Sequence, residues 1–222
     1  MDLLGTLDSP YVRRVAISLE YYGIRYRHKP ISEFDSFDEF AKINPVVKAP
    51  TIVLDDGGVL LDSSLILEYF ERQNHTGRRL MPDEPLKQAR ALRTIGLALA
   101  ACEKTVQIVY ERKMRPLDQQ HEHWMNRITA QLLATFCELE YEIDRSKILT
   151  DCSVEQADIT VAVAWSFSQR MLGDIVLEKS FQNINAYVRG IEKLDVFQAI
   201  PVSMAIYFDP PLANKIDPPF IV

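Results

Sequence analysis

The sequence predicts a two-part protein in which a small α/β half precedes an all-helical half. Residues 1 to about 74 alternate strand and helix patterns in the order βαβαββα, which predicts a small mixed sheet with helices on its faces. From residue 86 onward apolar residues recur at helical spacing. Between the halves, HTGRRLMPDEP (75–85) contains a glycine, two prolines and no periodicity, which indicates a linker. The predicted domains are residues 1–74 and 86–222.

Each element of the first half has its own local signal. After a first strand in MDLLG, apolar residues from Val12 to Leu19 recur at helical spacing, and Gly23 is a typical helix end. The remaining predictions are an alternating strand in IRYRHKP (24–30), a short helix in DSFDEFAKI (35–43), a hairpin in TIVLDDGGVLLD (51–62) and a capped helix in SSLILEYFERQ (63–73).

The second half is predicted from three apolar patterns. Stripes at helical spacing indicate two long helices, one carrying Leu92, Ile95, Leu99, Cys102, Val106 and Val109, the other Trp124, Ile128, Leu132, Leu139 and Ile143. ADITVAVAWSFSQRML (157–172) is apolar almost all round, as in a helix at the centre of a bundle. Two shorter helices follow near 180–190 and 193–200, and four prolines predict an extended tail at 209–222.

Composition excludes several classes of partner. The 222 residues carry a net charge of −6 with 47% hydrophobic residues, so nucleic acid and anionic membranes are not expected partners. A signal peptide is not predicted, because Asp2 stands where basic charge is needed, and no apolar run approaches 18 residues. We expect a cytoplasmic protein.

The cysteines predict neither a metal site nor a redox centre. The chain has three, Cys102, Cys137 and Cys152, with no Cys-x-x-Cys spacing, and His121 and His123 lack further ligands nearby. We expect no bound metal. Cys102 and Cys137 fall on or beside apolar helix faces and should be core thiols, whereas Cys152 should be the most exposed.

The stretch DSPYVRR (8–14) has two interpretations. Ser9 is a good N-cap and Pro10 suits the first helical position, so the pair can simply start the helix. A small polar residue, a proline and Tyr11 at a helix start can also form part of a binding site.

Four segments, taken in order, resemble the soluble glutathione transferase superfamily, and in particular bacterial members with serine at the thiol-activating position. They are SPYV (9–12), NPVVKAPTIV (44–53), LLDSSLILEYFE (60–71) and EQADITVAVAW (155–165). The resemblance covers essentially the whole chain. It implies a thioredoxin-like N-terminal domain, a helical-bundle C-terminal domain, and glutathione as co-substrate.

The resemblance also implies a glutathione-binding set. Pro50 would be cis, exposing the backbone of Ala49 to the cysteinyl part of glutathione; the alternative is a trans proline opening an edge strand. Asp62 and Ser63, at a helix start, would bind the γ-glutamyl carboxylate. The alternative is that they only cap the helix, since a helix cap has the same residue types in sequence. Lys48 would pair with the glycyl carboxylate, or would be a solvated loop lysine.

SPYV (9–12) occupies the place of the Cys-Pro-Tyr-Cys motif of glutaredoxins. Since Ser9 and Val12 carry no sulfur, disulfide exchange with the protein is excluded there. The resemblance implies that the Ser9 hydroxyl donates to the glutathione sulfur and favours its thiolate, with Tyr11 as the rival donor.

The predicted function is conjugation of glutathione to a hydrophobic electrophile, a detoxification reaction. The alternative is a non-catalytic binding or regulatory module like the stringent-starvation proteins; a glutaredoxin-like reductase is disfavoured because all three cysteines lie in the helical half. By resemblance the second-substrate pocket would use Tyr11, residues 110–114, and Phe208 or the tail. We expect a homodimer, with Phe34, Phe37 and residues 72–79 as candidate contacts.

One matched residue is expected to be structural. The family has Ser or Thr three residues before Asp158, forming a reciprocal cap on the buried helix, whereas this chain has Glu155 there. Either Glu155 or Ser153 is expected to supply the cap.

Overall fold

A computed structural model describes residues 1–73, 77–143 and 153–202. The first range folds in the predicted order as β1 (Asp2–Leu4), α1 (Pro10–Tyr22), β2 (Arg27–Lys29), α2 (Phe37–Ala41), β3 (Thr51–Val53), β4 (Val59–Leu61) and α3 (Ser63–Gln73). The described residues beyond it contain no strand, and form α4 (Pro85–Met114), α5 (Glu122–Glu142), α6 (Gln156–Leu172), α7 (Gln182–Ile191) and α8 (Asp195–Gln198). The predicted fold class, a thioredoxin-like domain followed by a helical region, is confirmed.

The sheet is small and mixed, with strand order β2-β1-β3-β4. β2 runs parallel to β1, while β3 is antiparallel to both β1 and β4. The register pairs Leu3 with His28 on one side and with Ile52 on the other, and both Leu3 and Ile52 are fully buried. β2 is shorter than the predicted run 24–30, because β1, its pairing partner, is itself only three residues long.

Helix α1 joins the two halves of the molecule. Ser9 is its N-cap, Pro10 is its first residue, and Gly23 ends it with a φ of +69°, a conformation that suits glycine. The helix packs against α3 on one side and α6 on the other. From it, Arg13 forms a two-point ion pair with Glu192 at the end of α7, with N–O distances of 2.7 and 2.6 Å.

Helix α6 is buried along most of its length, as its apolar sequence predicts. Its start carries a capping box between Glu155 and Asp158, in which the Glu155 N–H donates to the Asp158 carboxylate at 2.8 Å. The Tyr187 hydroxyl donates to the same carboxylate. Of the two predicted alternatives for the reciprocal cap, Glu155 is therefore correct, and Asp158 is structural.

Three residues predicted on or beside apolar helix faces are exposed, namely Leu92, Trp124 (40% exposed) and Cys137. Leu92 is 55% exposed. The apolar stripe from Leu92 to Val109 repeats about every 3.4 residues, whereas an α-helix has 3.6 residues per turn, so over these 17 residues the stripe turns by about 100° around the helix. Leu92 and Val109 therefore lie on different faces of α4. Cys137 is exposed, and its neighbour Phe136 takes the buried position on α5. The predictions for Cys152, Phe208 and the tail lie outside the described residues.

Candidate active site

A cleft of about 540 Å³ lies between the loops and helix starts of the N-terminal half and the helices α4 and α6. It brings together all seven residues that the sequence predicts for the site, namely Ser9, Tyr11, Lys48, Ala49, Pro50, Asp62 and Ser63. The facing wall comes from the helical region and includes Leu99, Glu103, Val106, Gln107, Tyr110, Phe167 and Met171. A molecule in this cleft would touch both halves of the chain.

Ser9 lines the cleft at the point where α1 begins. The Val12 N–H donates to its Oγ at 3.5 Å, a long bond, so the cap is weak. Because Oγ accepts in this contact, the hydroxyl keeps its own hydrogen for donation to another acceptor. The first turn of α1 adds partial positive charge there. Ser9 therefore caps the helix and also lines the cleft.

Tyr11 lines the same cleft but is a poor proton acceptor. Burial raises the pKa of its phenol well above the ordinary value, and the neighbouring Cys102 and Glu103 raise it further. Tyr11 therefore stays neutral at physiological pH. In this neutral form its hydroxyl can donate a hydrogen bond, but it cannot act as a base.

The Ala49–Pro50 peptide bond is cis, as the resemblance implies. The amide of Ala49 is not open, however, since its N–H donates to the Glu33 carboxylate at 2.8 Å. Sequence reasoning missed Glu33, which lies in the loop between β2 and α2 and carries no periodic signal. Burial raises the pKa of Glu33, and the Ala49 N–H and the nearby Lys48 oppose that rise.

The start of α3 forms one rim of the cleft. Asp62 adopts a φ of +68°, and its carboxylate accepts the Ser64 N–H at 2.9 Å, so it caps the helix. Lys48 Nζ lies 4.0 Å from Asp62 Oδ2, and both side chains are about half exposed. This long, solvated ion pair holds Lys48 weakly and leaves its ammonium accessible to an anion.

Arg14 is a second residue that sequence reasoning missed. It is 2% exposed, and its Nη1 donates to Ser63 Oγ at 3.2 Å and to Ser64 Oγ at 3.3 Å. Burial lowers the pKa of Arg14 to about 10, so the guanidinium remains charged at neutral pH. The only sequence signal was an arginine close to the apolar stripe of α1, a position usually given to a solvated charge.

The facing wall is more polar than a purely hydrophobic pocket. Leu99, Val106 and Phe167 are apolar, but Glu103 also lines the cleft and bonds Lys104 at 3.0 Å. Of the second-substrate residues predicted from α4, Tyr110 lines the cleft, while Met114 is not among the described lining residues.

The loop that carries Glu33 also contacts the facing wall. The Phe34 ring meets the Tyr110 ring edge-on at 5.9 Å, which links this loop to α4. Phe34 is half-buried, while Phe37 is 44% exposed.

Across residues 1–73, 77–143 and 153–202, no group of three or more His, Cys, Asp or Glu side chains is placed to hold a metal ion. In the same ranges, none of the helices combines the length and the apolarity that crossing a bilayer requires.

Residues 3–78 match the family model for the glutathione S-transferase N-terminal domain. Relatives that are similar over a longer stretch of the chain also carry glutathione transferase names. The uncharacterized GST-like protein YibF of Escherichia coli K12 is 29% identical over 164 residues, which cover 74% of this chain and 80% of that protein. Glutathione S-transferase 3 of Glycine max is 21% identical over 208 residues, covering 92% and 91% of the two chains.

Solved structures of transferases share the fold. A glutathione S-transferase of Methylobacterium radiotolerans, in complex with glutathione sulfonate, superposes with a TM-score of 0.82 at 21% identity, covering 95% of this chain and 99% of that one. A glutathione transferase family member of Pseudomonas fluorescens Pf-5, with bound S-(propanoic acid)-glutathione, superposes with a TM-score of 0.76 at 26% identity. The superposition covers 90% of this chain and 98% of that one.

Proposed function

We propose that the protein is a glutathione transferase, of the bacterial type with an activating serine, that conjugates the glutathione thiolate to a hydrophobic electrophile. The observation that carries the proposal is the single cleft in which all seven predicted residues meet. Two of the transferase structures to which the chain is similar hold a glutathione derivative.

Ser9 is proposed as the group that activates the thiol. A free thiol of this kind titrates near pH 8.5 and is mostly protonated at neutral pH. Donation from the Ser9 hydroxyl and the positive end of α1 favour the thiolate, and each unit by which the pKa falls corresponds to about 1.4 kcal/mol. Tyr11, as a neutral phenol, is the alternative donor.

The tripeptide is proposed to extend along the cleft from Lys48 to α3. Its glycyl carboxylate would meet the Lys48 ammonium, its cysteinyl part would pair with the Ala49 backbone, and its γ-glutamyl carboxylate would meet Ser63 at the start of α3. The Ala49 N–H can donate to this ligand only when it no longer donates to the Glu33 carboxylate. The electrophile would then lie between the sulfur and the wall formed by Leu99, Val106 and Phe167.

The experiment is turnover of glutathione with an activated aryl chloride by the wild-type protein and by Ser9→Ala. Ser180→Ala, a change at an exposed serine, is the matched control. The proposal predicts that the wild type turns over glutathione and that Ser9→Ala lowers the rate roughly 10- to 100-fold, as expected for the loss of one charge-assisted hydrogen bond. The control variant should keep the wild-type rate. Glutathione binding without turnover would contradict the enzyme assignment and favour the binding module.

We also propose that the protein is a cytoplasmic homodimer with a two-fold interface. Sedimentation at micromolar concentration should give twice the 25.5 kDa mass of the chain. A stable monomer would contradict this part of the proposal.

A further inference from the structure

Among the described residues, four charged side chains line the cleft, and three of them are carboxylates. Lys48 lies 4.0 Å from Asp62, so these two opposite charges offset each other. The other two come from different halves of the chain, since Glu33 lies in the loop before α2 and Glu103 lies on α4. The cleft therefore has a negative balance of charge beside its apolar wall.

Glu103 belongs to the face of α4 that borders the cleft. Gln107 and Tyr110 follow it at helical spacing, and all three side chains line the cleft. The Glu103 Oε1 atom accepts from Gln107 at 2.9 Å and from Lys104, which is not among the lining residues, at 3.0 Å. Its Oε2 atom accepts no hydrogen bond from the described residues, and the side chain is 57% exposed. Oε2 is therefore accessible to a donor or a cation.

Aromatic side chains lie near both carboxylates. Tyr11 and Tyr110 line the cleft, and burial raises the pKa of each phenol. The charge of Glu103 adds to the rise at Tyr11, and that of Glu33 adds to the rise at Tyr110, so each carboxylate lies near one of the two rings. Aromatic faces attract cations, and a neighbouring carboxylate strengthens that attraction.

We infer that the second substrate is an aromatic electrophile that carries a positive charge beside its apolar part, and that Glu103 selects for this charge. The inference rests on the proposed function and adds the charge class of the electrophile. With a benzylic chloride, the glutathione thiolate forms a carbon–sulfur bond while chloride departs with the electrons of the carbon–chlorine bond. The cationic group does not react and stays beside Glu103.

The test compares two benzylic chlorides that differ in this charge. The cation is para-(trimethylammoniomethyl)benzyl chloride, and its uncharged isostere is para-neopentylbenzyl chloride. For each compound, kcat/KM at saturating glutathione is divided by the rate constant of the uncatalysed reaction with glutathione, which removes the difference in intrinsic reactivity. After this correction the wild type should prefer the cation by about tenfold, the scale expected for two partly exposed charges.

Variants at one position separate the charge of Glu103 from its shape. Glu103→Gln keeps the shape and should lower the preference for the cation about threefold, whereas Glu103→Lys should reverse it. Glu122→Gln removes an exposed glutamate of α5 outside the cleft and is the matched control, which should keep the wild-type preference. Added salt should reduce the preference in the wild type, because exposed charges are screened.

Equal corrected rates for the two chlorides in the wild type, or a preference that Glu103→Gln leaves at the wild-type value, would overturn the inference. Turnover of the uncharged chloride would still uphold the proposed function in that case. A wild-type protein that binds glutathione and turns over neither chloride would overturn both.

Discussion

The contact between Glu33 and the Ala49 amide makes the protein compete with its own proposed ligand. A hydrogen bond to a charged group contributes about 1.5–3 kcal/mol, against about 0.5–1.5 kcal/mol for a neutral amide–carbonyl pair. When a ligand carbonyl replaces the Glu33 carboxylate, the Ala49 N–H exchanges a stronger hydrogen bond for a weaker one. This exchange makes the binding free energy of the ligand less favourable by about 1–2 kcal/mol. Glu33→Ala should then bind glutathione about 5- to 30-fold more tightly than the wild type. Glu33→Gln, whose amide oxygen can still accept, should gain less.

The same contact predicts a pH dependence. Burial, reinforced by Asp8, raises the pKa of Glu33 above the ordinary value of 4.5, although the Ala49 N–H and Lys48 oppose the rise. As the pH falls through this raised pKa, the carboxylate gains a proton and becomes a weaker acceptor. Wild-type affinity for glutathione should therefore increase toward acidic pH relative to that of Glu33→Gln, which has no proton to gain at this position.

Calorimetric titration of glutathione between neutral and mildly acidic pH measures both effects. Glu39→Ala removes an exposed glutamate of α2 and is the matched control. The competition argument is refuted if Glu33→Ala and Glu39→Ala bind glutathione equally, or if the wild type and Glu33→Gln show the same pH profile.

Two further predictions concern stability and thiol chemistry. Arg13→Met breaks the largely buried ion pair with Glu192 and should lower the free energy of unfolding, measured in urea, by about 3 kcal/mol. Arg189→Met breaks an exposed ion pair and is the control, for which a loss below about 1 kcal/mol is expected. An equally small loss for Arg13→Met would contradict the prediction. Burial raises the pKa of Cys102 to about 12, which makes its thiol unreactive. In native protein a thiol reagent should therefore modify the exposed Cys137 but not Cys102, and the modified protein should keep its turnover. Mass spectrometry of labelled protein checks the sites, and lost activity after Cys137 labelling would argue against a non-redox mechanism.

The features that the sequence predicted well depend on local chemistry. The start of α1 at Ser9 and Pro10, its end at Gly23, and the burial of α6 all follow from residues within one element. The cis bond before Pro50 came from the family resemblance rather than from propensity. Local pattern and resemblance together were therefore enough for the fold and for the seven cleft residues.

The missed features depend on contacts between distant parts of the chain. Glu33 reaches an amide 16 residues away from a loop with no periodic pattern, and Arg14 reaches a serine 49 residues away. Neither residue differs in sequence from an ordinary solvated charge. Their roles follow from tertiary packing, which composition and spacing do not encode.

The central claim is that the Ser9 hydroxyl stabilises the thiolate of bound glutathione. The direct measurement is ultraviolet thiolate absorbance, titrated with glutathione bound to the wild type, Ser9→Ala and Ser9→Thr, which keeps a hydroxyl. The wild type should titrate below the free-thiol value of about 8.5, and Ser9→Ala should titrate about one to two pH units above the wild type, as the loss of about 1.5–3 kcal/mol requires. Ser9→Thr should remain closer to the wild type. An unchanged titration in folded Ser9→Ala with glutathione bound would contradict the claim and shift the role to Tyr11, with Tyr11→Phe as the corresponding test.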